Sequence, residues 1–560
     1  MKIPELLAIL DHLGQTLLHW DKAVCQSKWI SYVEFHGMVP GFLLGTLWFL
    51  SGRIRSKEIQ RINNNKICRK EKMPLLSPSS QQEERRRSLR SHINQANNDD
   101  GLTTKISSYP SVAIVLPTRG YRPNSIQNWQ AIVSLDYPSN GNCKLEFIFV
   151  MEDKHDPAHT VIQKLVKSTN NFYTSLNNRS ARIVYSGLAS YSSQKIHNLI
   201  AGISAATSGN CSKTKTKRTA DPQVVHKYIL CLDDDVYLHP TALSSIIRDM
   251  EASHGGLRIA TGYPFDIPSE HAGILSYAAL AYHLPLVIGF SLNERTHFVW
   301  GGCMLFRAQD VRPEDDILGF LSSWANGGYS DDLTVAARCT ELGLQVFCPS
   351  YAIFPQYLDA EYSPVRYWNY LRRQLVVLDT YASDHNRRTN HVMAVLHCYF
   401  SWAFVVPVLS CLLKVGIWVG TQVISAAITL LAVIVGGDAA DGQHQVFEYY
   451  EKMNTADIST TSSLSGYISA ICFIACSLYA AIALRWMTSV VCTVMEKLNP
   501  RTLPPNSLLK RFHWGKLWVG FIVGNAVLPV CMVYTFMTRH ITWAGVTYRR
   551  QSGKIIAVEH

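Results

Sequence analysis

Runs apolar enough to cross a bilayer flank the middle of this 560-residue chain and do not enter it. One covers Trp29 to Leu50, with its apolar core from Gly37 to Leu50. Four more occupy 391 to 413, 415 to 437, 464 to 486 and 517 to 537. Hydrocarbon offers the backbone no hydrogen-bond partner, so such runs are helices wherever they meet it. The chain therefore reads as an aqueous domain held between membrane segments. A mean hydropathy of +0.02 agrees, being high for a soluble enzyme of this size and low for a transporter. Only Lys414 separates the first two C-terminal runs. A simple four-span count also puts the acidic loop 438 to 463 in the cytosol and the basic loop 487 to 516 in the lumen, against the usual charge bias. One run within 391 to 437 is accordingly expected to be interfacial or re-entrant.

Charge distribution sets the orientation. Arg53, Arg55, Lys57, Arg61, Lys66, Arg69, Lys70 and Lys72 follow the first span directly. From 53 to 105, 13 Lys/Arg stand against 6 Asp/Glu, a net +7 out of a formal +11 for the whole chain. Such a run places the following segment on the cytosolic side. It lacks aromatic interleaving and a folded platform, so a nucleic-acid partner is not expected. Residues 1 to 28 repeat Leu, Ile and Trp at helical spacing and read as an amphipathic interfacial helix or a packed membrane helix. No cleavable signal peptide is read there. Residues 76 to 108 are too polar to bury a core and read as a disordered linker. The 14 cysteines are scattered without CxxC or zinc spacing, which disfavours a disulfide scaffold.

Between Ser111 and about Asp384 the pattern changes. Buried-strand runs appear at 111 to 116, 145 to 151, 181 to 185, 227 to 232, 257 to 261 and 298 to 306. Helical patterns alternate with them at 124 to 134, 158 to 168, 195 to 206, 241 to 252 and 331 to 342. That alternation predicts an α/β domain with a mostly parallel sheet. Residues 208 to 222 read as a basic surface insertion, and ITWAGVTYRR near the C-terminus as strand-like. The predicted organisation is a membrane segment over 1–52, a basic linker over 53–109, the α/β domain over 110–388, membrane or interfacial helices over 389–538, and a cytosolic tail over 539–560.

Acidic residues cluster where strands end. Asp233-Asp234-Asp235 closes the run KYILCL, and the carboxyl end of a strand is where open α/β sheets bind ligands. Three adjacent carboxylates repel one another, and a divalent cation relieves that repulsion while reaching diphosphate oxygens. An acidic turn capping the helix at 241 is the plainer alternative. Glu152 and Asp153 end the second strand, and Asp331-Asp332 precede a helix, where N-capping is the favoured explanation taken alone, but three such acidic sites together favour a nucleotide-sugar site. Arg372 and Arg373 sit among aromatics just before the membrane runs, suited either to phosphate or to a juxtamembrane anchor.

Several pieces in order resemble the ceramide glucosyltransferase (glucosylceramide synthase) family, family-21 glycosyltransferases of the GT-A class, in its plant-type branch. They are LPTRG (116 to 120), EDKHDPA (152 to 158), SSQKIHNLIAG (192 to 202), CLDDDVYLHP (231 to 240), ATGYPFDIPS (260 to 269), FVWGGCM (298 to 304), YSDDLTVAARCTELG (329 to 343), YWNYLRRQ (367 to 374) and the terminal ITWAGVTYRRQSGK. The resemblance implies a GT-A, family-2-like, Rossmann-type domain embedded in an α-helical multi-pass membrane protein of the Golgi or endoplasmic reticulum, with its catalytic domain facing the cytosol. It implies UDP-glucose and ceramide as partners at the lipid bilayer, a Mg²⁺ or Mn²⁺ cofactor, and transfer with inversion. In the family's D, D, D, (Q/R)xxRW pattern, Asp153 and Asp233 fit the first two donor-site aspartates. Asp235 fits the metal ligand, Asp332 the catalytic base and Arg373 the catalytic arginine. Gln374 stands where the pattern has tryptophan. Lys195, Asn198 and Arg372 match donor-site positions, and Cys303 and His283 fall in the acceptor region. Tyr277 to Phe290 either lines an acceptor groove or is an apolar core segment.

Overall fold

The structure, a computed structural model, describes residues 3–25, 27–71, 109–122, 124–138, 143–173, 178–208, 226–253, 255–435, 460–543 and 545–560. The expected linker 76–108, most of the insertion 208–222 and most of the acidic loop 438–463 lie outside the described residues. The chain divides into two compact units, one from 1–49, 396–485 and 525–529, the other from 50–395, 486–524 and 530–560.

Ten strands precede the C-terminal segment of the second unit: β1 Val112–Pro117, β2 Leu145–Met151, β3 Arg179–Tyr185, β4 Tyr228–Leu232, β5 Ile259–Thr261, β6 Tyr263–Ile267, β7 Arg295–Thr296, β8 Cys303–Arg307, β9 Val346–Phe347 and β10 Ile353–Tyr357. Eight of them form one sheet in the order β3-β2-β1-β4-β8-β5-β9-β7. β1, β2, β3 and β4 run parallel, and β8 lies antiparallel between β4 and β5. β1 (VAIVLP) and β4 (YILCL) are apolar in continuous runs because both sheet faces are covered. One face carries a core of Trp129, Ile132, Phe147, Phe149, Leu243 and Ile247. The other carries Ile196, Leu199, Ile203, Trp324 and Val335. Helix Gln194–Thr207 crosses β1 closely enough that a Cβ on Gly202 would meet Val115 Cγ1 at 2.3 Å.

The expected strand 298 to 306 begins only at Cys303. Ahead of it the chain turns, and Cys303 N donates to Trp300 O at 3.1 Å. β6 and β10, which pair in parallel, each contain a proline, Pro264 or Pro355, and proline obscures a strand in sequence. The C-terminal patch is a three-stranded antiparallel sheet: β11 His540–Trp543, β12 Val546–Gln551 and β13 Lys554–Glu559.

The membrane reading changes at one point. The runs 391 to 413 and 415 to 437 form one continuous helix, Asp384–Val435, with no re-entrant break. Lys414 does not separate two spans. It is buried, its Nζ 2.7 Å from Glu34 Oε1, and Ser410 and Ser469 also donate to that carboxylate. Paired and hydrogen-bonded, the charge sits inside an apolar helix without forcing a turn. Among the described residues four helices are long and apolar enough to cross a membrane: Lys28–Asn64, Asp384–Leu431, Tyr467–Leu498 and Trp514–Met537. One member of the juxtamembrane basic run is also reassigned. Arg55 is buried in the second unit, donating to Phe290 O at 2.8 Å, to Ser291 Oγ at 3.3 Å and to Ser350 O.

Candidate active site

β1 has β2 on one side and β4 on the other, so the connections leaving these strands diverge and open a crevice at their carboxyl ends. Three chain segments drop polar residues there: Arg119 after β1, Glu152 and Asp153 after β2, and Asp233 to Asp235 after β4. Arg119 Nη1 pairs with Glu152 Oε1 at 2.8 Å, and Asp233 N donates to Gly302 O at 3.0 Å.

Lys195 is the hub. It lies in the first turn of helix Gln194–Thr207, whose cap is Ser193. Its Nζ is 2.8 Å from Asp233 Oδ1 and 2.9 Å from Asp331 Oδ2, and donates to Gly301 O at 3.3 Å. Asp331 and Asp332 open helix Asp331–Glu341, but its N-cap is Ser330, whose hydroxyl accepts from Leu333 N. Asp331 is therefore not needed as a cap, whereas Asp332 Oδ1 also accepts from Leu333 N, at 2.8 Å, and shares the capping with Ser330. Asp331 is buried on Lys195, while Asp332 is only half-buried. Ser330 Oγ donates to Asp332 Oδ1, and Gly301 N to Asp332 Oδ2 at 3.4 Å. Only glycine fits at 301, since a Cβ there would stand 2.5 Å from Asp331 Oδ2.

Electrostatics follow from crowding. Burial alone would lower the Lys195 ammonium, but Asp233 and Asp331 overcome it and push it up. Asp233 is still held above the usual carboxylate range. Burial, then Asp235 and Asp331, outweigh its share of a lysine that serves two carboxylates. Asp234 is raised well above that range by burial and by its two neighbours. Burial and Asp331 raise Asp332, with the Ser330 hydrogen bond opposing.

Asp235 Oδ2 accepts from Arg122 Nη1 at 3.0 Å and from Gln356 Nε2 at 3.3 Å. Hard carboxylate oxygens crowded on three successive residues suit Mg²⁺ or Mn²⁺, which would relieve their repulsion. Arg122, whose side chain is 67% exposed, is free to move aside from Asp235. Among the described residues no group of three or more His, Cys, Asp or Glu forms a metal-ligand set, so a bound ion would also need ligands from the substrate or water.

A family model described as glycosyl transferase family 21 matches residues 86–434, more than half of the chain. The chain belongs to glycosyl transferase family 21. That family includes ceramide glucosyltransferases. Two solved structures are similar at low identity. A mannosyltransferase from Pyrobaculum calidifontis in complex with GDP-Man and Mn²⁺ shares 12% identity, with 76% of this chain and 99% of that chain covered and a TM-score of 0.32. S. aureus TarS 1–349 in complex with UDP-GlcNAc shares 10%, with 79% and 98% covered and a TM-score of 0.26.

The remaining expected residues of this family-21 chain fall in different places. Asp153 is exposed at the end of β2, its Oδ1 accepting from His155 N at 2.6 Å. Asn198 is buried, and its Oδ1 accepts from Ser186 Oγ at 2.7 Å and Gln194 Nε2 at 2.8 Å, so it braces the segment after β3. Cys303 is buried at the start of β8, and burial pushes its thiol up to about 12, which makes it unreactive. His283 Nδ1 is 2.6 Å from Asp266 Oδ2, and its Nε2 is 3.1 Å from Tyr370 Oη. Asp266 lies opposite Gln356 in the β6–β10 pair, so His283 is two residues removed from Asp235. The stretch Tyr277 to Phe290 is core rather than an open groove. Tyr277, Ala278, Leu280 and Val287 are buried, and Gly520 and Gly524 of helix Trp514–Met537 press against Tyr277 and Ala278.

The arginine pair is split. Arg372 Nη2 donates to Thr538 Oγ1 at 3.1 Å and to His540 O at 2.9 Å, tying it to the C-terminal segment. Arg373 lies over the Trp543 ring, 4.6 Å from its centroid. Arg122, Gln356, Asp266 and Trp543 are the site residues that sequence reading missed. Arg122 and Gln356 act through a partner distant in the chain, and Asp266 and Trp543 fall inside pieces that resemble the family without a local sign of their partners.

Proposed function

We propose that this family-21 protein transfers glucose from UDP-glucose to the primary hydroxyl of ceramide, giving β-glucosylceramide. The reading rests chiefly on Asp332, a half-buried carboxylate beside a Lys195-bridged acidic cluster at the carboxyl edge of the sheet. As base, Asp332 takes the proton of the ceramide hydroxyl while that oxygen bonds to the anomeric carbon. The bond from that carbon to the UDP oxygen breaks in the same displacement, so the configuration inverts. Raised above the ordinary range, Asp332 is a stronger base than a free aspartate. Ser330 and Gly301 N fix its orientation.

Asp153 contacts the uridine part and Asp233 the sugar-diphosphate, with Lys195 holding Asp233 and Asp331 in register. Arg373 faces the charge that gathers on departing UDP. Asn198 and Arg372 hold their segments in place. Asp235 would hold Mg²⁺ or Mn²⁺, which would supply Lewis-acid stabilisation of the diphosphate. His283, fixed by Asp266, stands at the acceptor side, and Cys303 serves as buried packing. The acceptor stays in the bilayer, because each buried CH₂ is worth about 0.8 kcal/mol. The apolar helices bring the catalytic unit to that surface, as a multi-pass protein of the endoplasmic reticulum or Golgi with this unit facing the cytosol.

The test is a product assay on the detergent-purified protein with UDP-glucose and ceramide, with and without divalent cation. A cation-dependent single-sugar lipid is expected. A polymer, a glycosylated sterol or a glycosylated diacylglycerol as the main product would overturn the substrate assignment.

A further inference from the structure

The C-terminal sheet lies outside the span matched by the family model, which ends at 434. Yet it bonds to the loop that carries the candidate base. Ile555 N donates to Gly327 O at 2.9 Å, Tyr548 stacks edge-on to Tyr329 at 5.5 Å, and Gln194 N donates to Tyr548 Oη at 3.4 Å. Gly327 and Tyr329 precede Ser330 and Asp332, and Gln194 precedes Lys195. Arg550 anchors the sheet from behind, pairing with Asp379 and donating to Thr538 O at 2.9 Å. So anchored, β11 presents Trp543 to Arg373 at 4.6 Å.

Arg373 is an unusual cation. Among the described residues no carboxylate pairs with it, while its neighbour Arg372 donates through Nη2 to Thr538 and to His540 of β11. Tyr329 nearby carries a buried hydroxyl without a hydrogen-bond partner. Burial pushes that phenol up, and the Arg373 charge opposes the rise. An arginine with no counter-charge suits an anionic ligand, provided something fixes its direction. Gln374 cannot stack on it as an aromatic neighbour would.

We propose that Trp543 is a positioning residue: from the far end of the chain it supplies the aromatic face that aims Arg373 at the diphosphate of the donor. An indole face attracts a guanidinium and limits its rotamers without neutralising it, which a carboxylate would do. This inference rests on the role given to Arg373 under Proposed function.

The test is binding of UDP to the full-length protein in detergent, by calorimetry, for wild type, Arg373→Ala, Trp543→Phe, Trp543→Leu and Trp543→Leu/Arg373→Ala. Trp543→Leu keeps apolar bulk and loses the ring face; Trp543→Phe keeps a ring. Trp543→Leu is expected to weaken UDP about fivefold to thirtyfold, and Trp543→Phe by clearly less. The double variant is expected to lose no more than Arg373→Ala alone, because the tryptophan acts through the arginine. Equal affinities for Trp543→Leu and Trp543→Phe, or additive losses in the double variant, would overturn the proposal by showing mere packing. If Arg373→Ala binds UDP like wild type, the arginine's donor role fails. If Arg373→Ala weakens UDP and Trp543→Leu does not, only the positioning role fails.

Discussion

At the scale of single residues, the site depends on one lysine neutralising two carboxylates. Replacing Lys195 with Met leaves Asp233 and Asp331 facing each other with no cation between them. Breaking such a pair from one side costs about 3 kcal/mol or more. A thermal melt of Lys195→Met is expected to fall several degrees below wild type, with Mn²⁺ recovering part of the loss. His239 gives a pH signature outside the reaction. Burial lowers its imidazole from 6.5 to about 4, and its Nε2 donates to Tyr351 O at 3.2 Å, which fixes the neutral tautomer. The unfolded chain therefore binds this proton between about 6.5 and about 4 when the fold does not, and stability falls as pH drops through that window. A denaturation series from pH 7 to pH 4 on wild type and His239→Asn is expected to show a shallower slope for the variant. Asp233, Asp235 and Asp332 were legible because acidic residues at strand ends and helix starts announce themselves locally. Arg122 and Gln356 were not, since their meaning comes from Asp235, more than a hundred residues away in each case.

At the scale of elements, local pattern identified what was uniform and missed what was mixed. β1, β2 and β4 stand out because burial on both faces demands apolar runs, broken only by Glu146 in β2. β6 and β10 were hidden by Pro264 and Pro355, and the start of β8 was misplaced because Gly301 and Gly302 sit inside an apolar run that turns. Lys414 looked like a break because its partner Glu34 lies 380 residues away. Helix Trp514–Met537 carries a prediction of its own. Near its start Lys516 Nζ donates to Ala272 O at 3.0 Å, and just past its end Thr538 accepts from Arg372. At about 1.5 Å per residue it is long enough to cross a bilayer, yet the catalytic unit holds both ends. A tag on the C-terminus is thus expected on the same membrane face as the catalytic unit. Protease protection in sealed vesicles checks this, and a tag shielded while the catalytic unit is cleaved would contradict it.

At the scale of the whole molecule, the near-zero mean hydropathy resolves into an α/β unit and long apolar helices that flank it in sequence. The excess positive charge does not all serve a membrane surface, since Arg55 is spent on bonds inside the catalytic unit. What no composition or periodicity conveys is that the last strands of the chain return to brace the loop before Asp332. The account comes down to that carboxylate acting as base while its neighbours hold the donor. The decisive measurement is kcat for ceramide glucosylation, with UDP affinity measured in parallel, for wild type and Asp332→Asn. The account predicts a fall in kcat of about a thousandfold with UDP affinity nearly unchanged. Turnover within a few-fold of wild type would contradict it.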